Sequence, residues 1–547
     1  MAPHAPGGVM DKLNWWERRW FLALLVLASA VPLLWPETPP LVDVVGHMGR
    51  YRVQLDLANS PELQRYFEFH WALVGNLGVD LLVELLGPIF GLELVVKLIV
   101  LAIPPLTVIG MIWIAKEVHG RIPPTLMFAI PFVYGYPFNF GFANFTLSLA
   151  LALVAFGYWL HLTNAGQLRF RNWIFLPIAC LLWVAHAFGW GILGLLAASS
   201  EIIRLRDEGE NWKASVRRAA IAVLPMATPV LFMLWGMGDG TTGKIAGFFD
   251  VASKLHALLA TLRDRWLIWD SFGLAAALIL IGAVKIEDRL SMSRRLAVPA
   301  AVLLLAFLLL PNQLFGSFYA DMRIAPYIFM FAILAIRYQP DPQSRKQTLA
   351  VLAFAFLFLR LLGNTVSFVI ADRDMDKWKQ AVELVPMGAP VLTLTGEQCG
   401  DRWELPRDAH VGSLVIIRRY GFTNNQWQTA GAQLLRVRYS EAGFFDDDRS
   451  SFIYSEKCVR RTEEQLEEPM VYDQRPETAL HIFPRKAFDF VWMIDPPDFE
   501  IGPRPGLIPI WQSERSILYR IDHSKDPPPS FLFEFISPPQ FRDRDSK

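Results

Sequence analysis

An aspartate, a histidine and two arginines fall close together as Asp43, His47, Arg50 and Arg52, in the stretch Pro39-Pro-Leu-Val-Asp-Val-Val-Gly-His-Met-Gly-Arg-Tyr-Arg52. A carboxylate can take a proton from a hydroxyl, an imidazole can orient or tune that carboxylate, and guanidiniums grip phosphate through forked N–H groups. If residues 42 to 52 are helical, Asp43, His47 and Arg50 stand at i, i+4 and i+7 on one face. That assigns Asp43 and His47 to proton chemistry and Arg50 and Arg52 to an anion. An aspartate after Pro-Pro at a helix start also suits an N-cap, whose side chain accepts from the first free amides. The sequence leaves both roles for Asp43 open.

Other polar residues that could bind a substrate are scattered: His70 and Asn76, His186 in the turn His186-Ala-Phe-Gly-Trp190, Lys244 and Lys254, and Asp321 with Arg323. An Asp and an Arg where a helix re-enters a membrane are costly unless paired or used. A mutual ion pair and phosphate binding by Arg323 therefore stand side by side. A packing histidine is the simpler reading of His186, and lysines in an exposed loop are commonly just solvated. Lys97 and Arg360 read as side chains snorkelling from their helices. Asp43 and His47 could supply two positions of a divalent site, but no further ligand is tied to them by sequence, so no metal and no other cofactor is expected. There is no phosphate-binding Walker loop, no dinucleotide fingerprint and no Gly-x-Ser-x-Gly turn.

The elements that must position these residues are membrane helices. Of 547 residues 53% are hydrophobic and 19% charged, and the apolar residues come in blocks. A run at 20 to 35 follows Lys12, Arg18 and Arg19 without a small-x-small cleavage site, and reads as a retained first helix. Further runs lie at about 94–115, 123–137, 142–161, 173–203, 219–237, 271–286, 296–311, 324–337 and 348–370. The run 173–203 is long for one crossing of a core about 30 Å thick, and a hairpin turning near His186 fits it equally well. As a hairpin, it places Arg204, Arg206, Lys213, Arg217, Arg218, Arg289, Arg294, Arg295, Arg337, Arg345 and Lys346 all on the inner side, as the positive-inside bias requires. The expectation is an all-α polytopic bundle of about eleven crossings, carrying a C-terminal soluble α/β domain.

In this scheme residues 1–19 are a cytoplasmic N-terminus, 20–372 the membrane domain with a long first external loop at 36–92, and 373–547 an external, periplasmic domain of a bacterial inner membrane protein. In the loop, Tyr66–Trp71 and Leu81–Leu86 read as interfacial amphipathic helices. In the C-terminal part, 390–395, 410–417 and 516–521 read as strands and 376–385 as a helix. Cys399 and Cys458 could form a disulfide there. Zero formal net charge, with no basic cluster, gives no sign of nucleic acid.

A first helix running outward, an acidic residue opening a long external loop with interfacial helices, many further helices and a C-terminal external domain resemble the layout of the GT-C superfamily of polyprenyl-phosphate-sugar-dependent glycosyltransferases. The likeness covers about residues 10 to 370, and the opening Asp-x-x-x-His-x-x-Arg is similar to that of a group of bacterial membrane proteins. Many members carry an acidic pair where this chain has Val42-Asp43-Val44. The resemblance implies inverting transfer of a sugar from a polyprenyl-phosphate donor to a lipid or glycan acceptor, with Asp43 as base and membrane lipids as surroundings. A transporter or flippase of a lipid-linked precursor, or a non-catalytic envelope assembly protein, are the rival readings. The charges collected at the outer mouths and the lack of an internal repeat argue against transport.

Overall fold

The computed structural model describes residues 13–236, 245–314, 318–339, 343–397, 402–428, 434–455 and 474–525. It is mostly helical, with a strand-containing C-terminal region. Five helices are long and apolar enough to cross a membrane: Leu92–His119, Ala143–Asn164, Leu168–Ala185, Ala187–Asp207 and the apolar part of Gln343–Glu383. Shorter apolar helices pack among them, including Arg19–Ala28, Leu267–Ala283 and Ala325–Leu334.

The run at 173–203 is indeed divided. His186 adopts extended backbone (φ −169°, ψ 131°) between the two helices, and Arg171 near the start of one reaches Glu201 near the end of the other at 3.3 Å, so the pair is antiparallel. The run at 123–137 is broken into Leu126–Ala129, Ile130–Tyr134 and Tyr136–Phe140, because Pro131 and Pro137 each remove a backbone donor. Irregular backbone at membrane depth is tolerated only when protein covers it. Residues 122–139 are accordingly buried throughout.

Polar contacts sort the bundle into two ends. At one end Glu17 meets Arg121 at 2.7 Å, Glu117 meets His161 at 2.9 Å, Asp207 meets Arg294 at 2.9 Å, and Arg295 donates to Asn164 at 3.1 Å. This is the arginine-rich end. At the other end the first loop, the turn at His186, residues 245–267, the loop before Arg323 and the C-terminal domain come together.

The first loop contains the helix Val44–Asp56 and the helix Gly78–Phe90, whose Leu81, Leu85 and Ile89 are exposed along one stripe. The helix expected at Tyr66–Trp71 does not form: Phe67–Phe69 is a strand, paired antiparallel with Leu435–Val437. Aromatic and acidic alternation in Phe-Glu-Phe has period two, which a strand partner supplied from far along the chain converts into sheet. The last membrane run and the expected helix at 376–385 are one element, the 41-residue helix Gln343–Glu383, so no break falls at 372. It spans roughly 60 Å at 1.5 Å per residue and enters the C-terminal domain, where Lys379 meets Glu37 at 2.7 Å.

That domain is built on a mixed sheet. Pro390–Glu397 lies centrally, parallel to Phe490–Ile494, Phe422–Thr423 and Phe452–Tyr454; Ser516–Ile521 pairs antiparallel with Phe490–Ile494 and with Leu507–Gln512. The stretch 410–417 is not a strand but a short 3-10 turn, Val411–Ser413, followed by the helix Leu414–Arg419. Its four consecutive buried apolar residues, Leu414 to Ile417, carry no period to separate strand from helix. Packing against Val44–Asp56 settles it.

Candidate active site at the domain junction

Asp43 sits at the head of helix Val44–Asp56 with helical backbone (φ −85°, ψ −12°). An N-cap residue turns its side chain over the first amides from an extended backbone. Asp43 does not have that backbone, and its carboxylate makes no capping bond. Its own amide is held by the Phe140 carbonyl at 2.9 Å, in a turn where Gly141 (φ +97°) approaches so closely that a Cβ there would lie 2.7 Å from the Asp43 nitrogen. The first loop and the broken segment are thus joined at the aspartate.

The Asp43 side chain is 11% accessible. Its nearest charged or titratable contact is His410 Nε2 at 3.7 Å, from the turn preceding helix Leu414–Arg419. Burial pushes the carboxyl up to about 8, against the opposing pull of the Arg323 guanidinium. Burial likewise pushes His410 down to about 3, so its ring is neutral. His47 is held well below its ordinary value by burial, then by Arg50, His410 and Arg323. Its ring lies against Trp427 (centroids 5.0 Å) and Tyr51 rather than bonding to Asp43. Trp427 is shared, with His410 on it at 4.4 Å. Nδ1 of His47 and Nδ1 of His410 are both buried without a hydrogen-bond partner among the described residues.

Arg323 approaches from the bundle side. The Asp321–Arg323 ion pair does not form, because Asp321 is taken by Lys254 at 3.0 Å and caps its own turn through the Met322 amide at 2.8 Å. Arg323 instead lies over the Phe142 ring at 4.3 Å and within electrostatic reach of Asp43. His186 caps the second hairpin helix, Nδ1 accepting from the Phe188 amide at 3.1 Å. A neutral imidazole that accepts at Nδ1 carries its proton on Nε2. That Nε2–H stands 3.4 Å from Arg323 Nη1, also a donor. At that spacing one anionic oxygen lying to the side of the pair can accept from both.

The remaining residues are placed as follows. Arg50 is buried and paired with Asp80, which also accepts from Asn144 at 3.0 Å, so this arginine ties two loop helices together. Arg52 donates to the Ile417 carbonyl at 3.0 Å and to Asp56 at 2.6 Å, anchoring the loop helix on the C-terminal domain. His70 is an exposed ring beside Glu68 on a strand edge. Asn76 offers its carbonyl to Asn144 at 2.9 Å. Lys254 is buried and donates to Asp321 and to the Phe307 and Leu310 carbonyls at 2.9 and 2.8 Å. Arg360 does not snorkel but is buried against Asp270 at 3.1 Å, an ion pair that Trp403 completes from the C-terminal domain at 2.8 Å. Lys244, Cys399 and Cys458 lie outside the described residues. Among the described residues no group of three or more His, Cys, Asp or Glu side chains is arranged to hold a metal ion.

His410, Trp427, Tyr136 and Tyr319 are the site residues that sequence reasoning missed. None carried a signal in the sequence: Tyr136 and Tyr319 come within electrostatic reach of Asp43 only in the fold, Tyr319 from a backbone at φ +61°. Arg263 donates to the Tyr136 hydroxyl at 3.0 Å and to the Trp403 carbonyl at 2.7 Å. Beyond Arg263 opens a polar cleft of about 440 Å³ between the membrane helices and the C-terminal domain, lined by Glu397, Asp408, Arg402 and Arg515 among others. Burial and the nearby Asp408 raise Glu397 to about 7, and burial with Asp495 nearby raises Asp408 to about 6.

No protein-family model matches the chain, and no curated protein matches it. Among solved structures, the chain is similar in overall course to ArnT from Cupriavidus metallidurans, in a crystal structure bound to undecaprenyl phosphate. The likeness has a TM-score of 0.45 at 12% identity, over 93% of this chain and 99% of that one.

Proposed function

We propose that the protein is an inverting glycosyltransferase that moves a sugar from a polyprenyl-phosphate donor to a hydroxyl of an envelope lipid or glycan, at the face of the membrane that carries the C-terminal domain. The positive-inside bias assigns the arginine-rich end to the cytoplasm and this end to the outside. The observation that carries the reading is the pairing of a non-capping, partly accessible carboxylate, Asp43, with Arg323 and the His186 Nε2–H in one buried place.

In the reaction, the acceptor oxygen forms a bond to the anomeric carbon as its proton passes to Asp43. The bond from that carbon to the phosphate oxygen breaks, and polyprenyl phosphate leaves with the electron pair. Arg323 and His186 take the charge that grows on the leaving phosphate, where low dielectric strengthens their hold. His410, neutral and 3.7 Å from Asp43, keeps the carboxylate in place without adding charge. The polar cleft past Arg263 is the acceptor's route.

The test is transfer of labelled sugar by the purified full chain from a panel of polyprenyl-phosphate sugars. Asp43→Asn is expected to lower turnover by about 10²-fold or more while donor binding stays within about twofold. Unchanged turnover per folded molecule would reject the base.

A further inference from the structure

On the lipid-facing side, away from Asp43, a shallow groove of about 340 Å³ runs between the first helix and helix Leu92–His119. Leu22, Ala23 and Val26 form one wall, Ile109, Ile112 and Trp113 the other, and Lys116 closes one end. The two helices run in opposite directions, so the closed end is also where the first helix begins. Arg19 stands there, three and four residues before Leu22 and Ala23 and therefore one turn below them on the same face.

The charges at this end are unequal. Glu17 is matched by Arg121, and Glu117 is turned to His161 and Asn164 at 2.9 Å each. Arg19 and Lys116 are exposed and have no ion pair or side-chain hydrogen bond among the described residues. An apolar slot with two cations at its mouth is complementary to a molecule with an apolar chain and an anionic head. The slot extends about 10 Å along Ile109 to Lys116, the length of part of one acyl chain.

We infer that this groove is a binding site for an anionic glycerophospholipid of the leaflet at the arginine-rich end, its phosphate held by Lys116 and Arg19 and one acyl chain laid between the two helices. The site is separate from the proposed transfer site and does not depend on it. It would hold the first helix, and through it the first loop, against the bundle.

Native mass spectrometry of the detergent-solubilised full chain tests this, with phosphatidylglycerol and phosphatidylcholine of matched chains as probes. Wild type should retain phosphatidylglycerol roughly 10- to 30-fold better, the size expected for two basic residues at a headgroup. Lys116→Ala with Arg19→Ala should remove the preference, whereas Lys97→Ala, at the other end of the same helix, should keep it. Ala23→Trp fills the slot but leaves both cations, and should lower retention of both lipids. Equal retention of the two lipids by wild type would overturn the proposal, as would a preference that survives the double substitution or lipid retention that Ala23→Trp leaves unchanged. Stoichiometric displacement of phosphatidylglycerol by polyprenyl phosphate would reassign the groove to the carrier lipid and equally overturn it.

Discussion

The Asp43 carboxyl, raised to about 8, is mostly protonated at neutral pH, and for the base proposed above that has a measurable consequence. The ionised fraction of Asp43 is about one-tenth at pH 7 and about nine-tenths at pH 9, so kcat/KM should climb nearly tenfold across that interval and then level. Asp43→Asn should show a flat, low profile. Stability gives a second readout through the same proton. A carboxyl raised in the folded state stabilises it fully below the unfolded value of 3.8, and this contribution is lost as pH rises towards 8. Within that window wild type should lose ground to Asp43→Asn by about 1.4 kcal/mol per pH unit, an upper value for a site that retains some contact with water. The assays are steady-state transfer with labelled donor from pH 6 to 10, and thermal unfolding in detergent over pH 5 to 9. A wild-type profile without a limb between 7 and 9 would refute the reasoning. So would an Asn variant that is less stable at every pH yet turns over normally, because that is the behaviour of a cap.

Arg323→Gln should weaken binding of the polyprenyl-phosphate donor by about 10- to 100-fold, with a shallower salt dependence in equilibrium binding, and should move the basic limb to higher pH because a cation that favours the carboxylate is gone. Arg50→Ala leaves Asp80 buried without its ion-pair partner, so it should cost stability, about 3–5 kcal/mol in denaturant or heat, and spare donor affinity per folded molecule. Gly141→Ala would push a Cβ into the Asp43 amide from a positive φ, and should cut kcat by more than it changes donor binding, as a displaced base does.

Arg50 and Arg323 show where reading a sequence stops. Both were reasonable phosphate ligands, since helical spacing sets Arg50 on the face of Asp43. Yet Arg50 is consumed by Asp80, thirty residues on, and which carboxylate an arginine finds is a matter of long-range packing. The local pair Asp321–Arg323 fails for the same reason: Lys254, on the helix Val251–Leu259, donates to Asp321 and to two backbone carbonyls, and takes the aspartate. The histidine expected to accompany Asp43, four residues on, packs on a tryptophan, and the histidine that stands closest comes from 367 residues further along the chain.

Some of this molecule is written locally. Apolar runs long enough to span a bilayer, the hairpin with its basic residues gathered at one end, and an acidic residue heading a loop helix all follow from spacing and the cost of moving charge through lipid. Period-poor apolar stretches are different, as Leu414–Ile417 shows, because only the surface they meet selects helix or strand. Nor does spacing tell a carboxylate whether it caps, pairs or stands ready to take a proton. The C-terminal domain decides that for Asp43: by laying His410 and Trp427 against the glycine-lined face of the loop helix it removes water from the aspartate, and burial is a property of the assembled fold that no single stretch of chain contains.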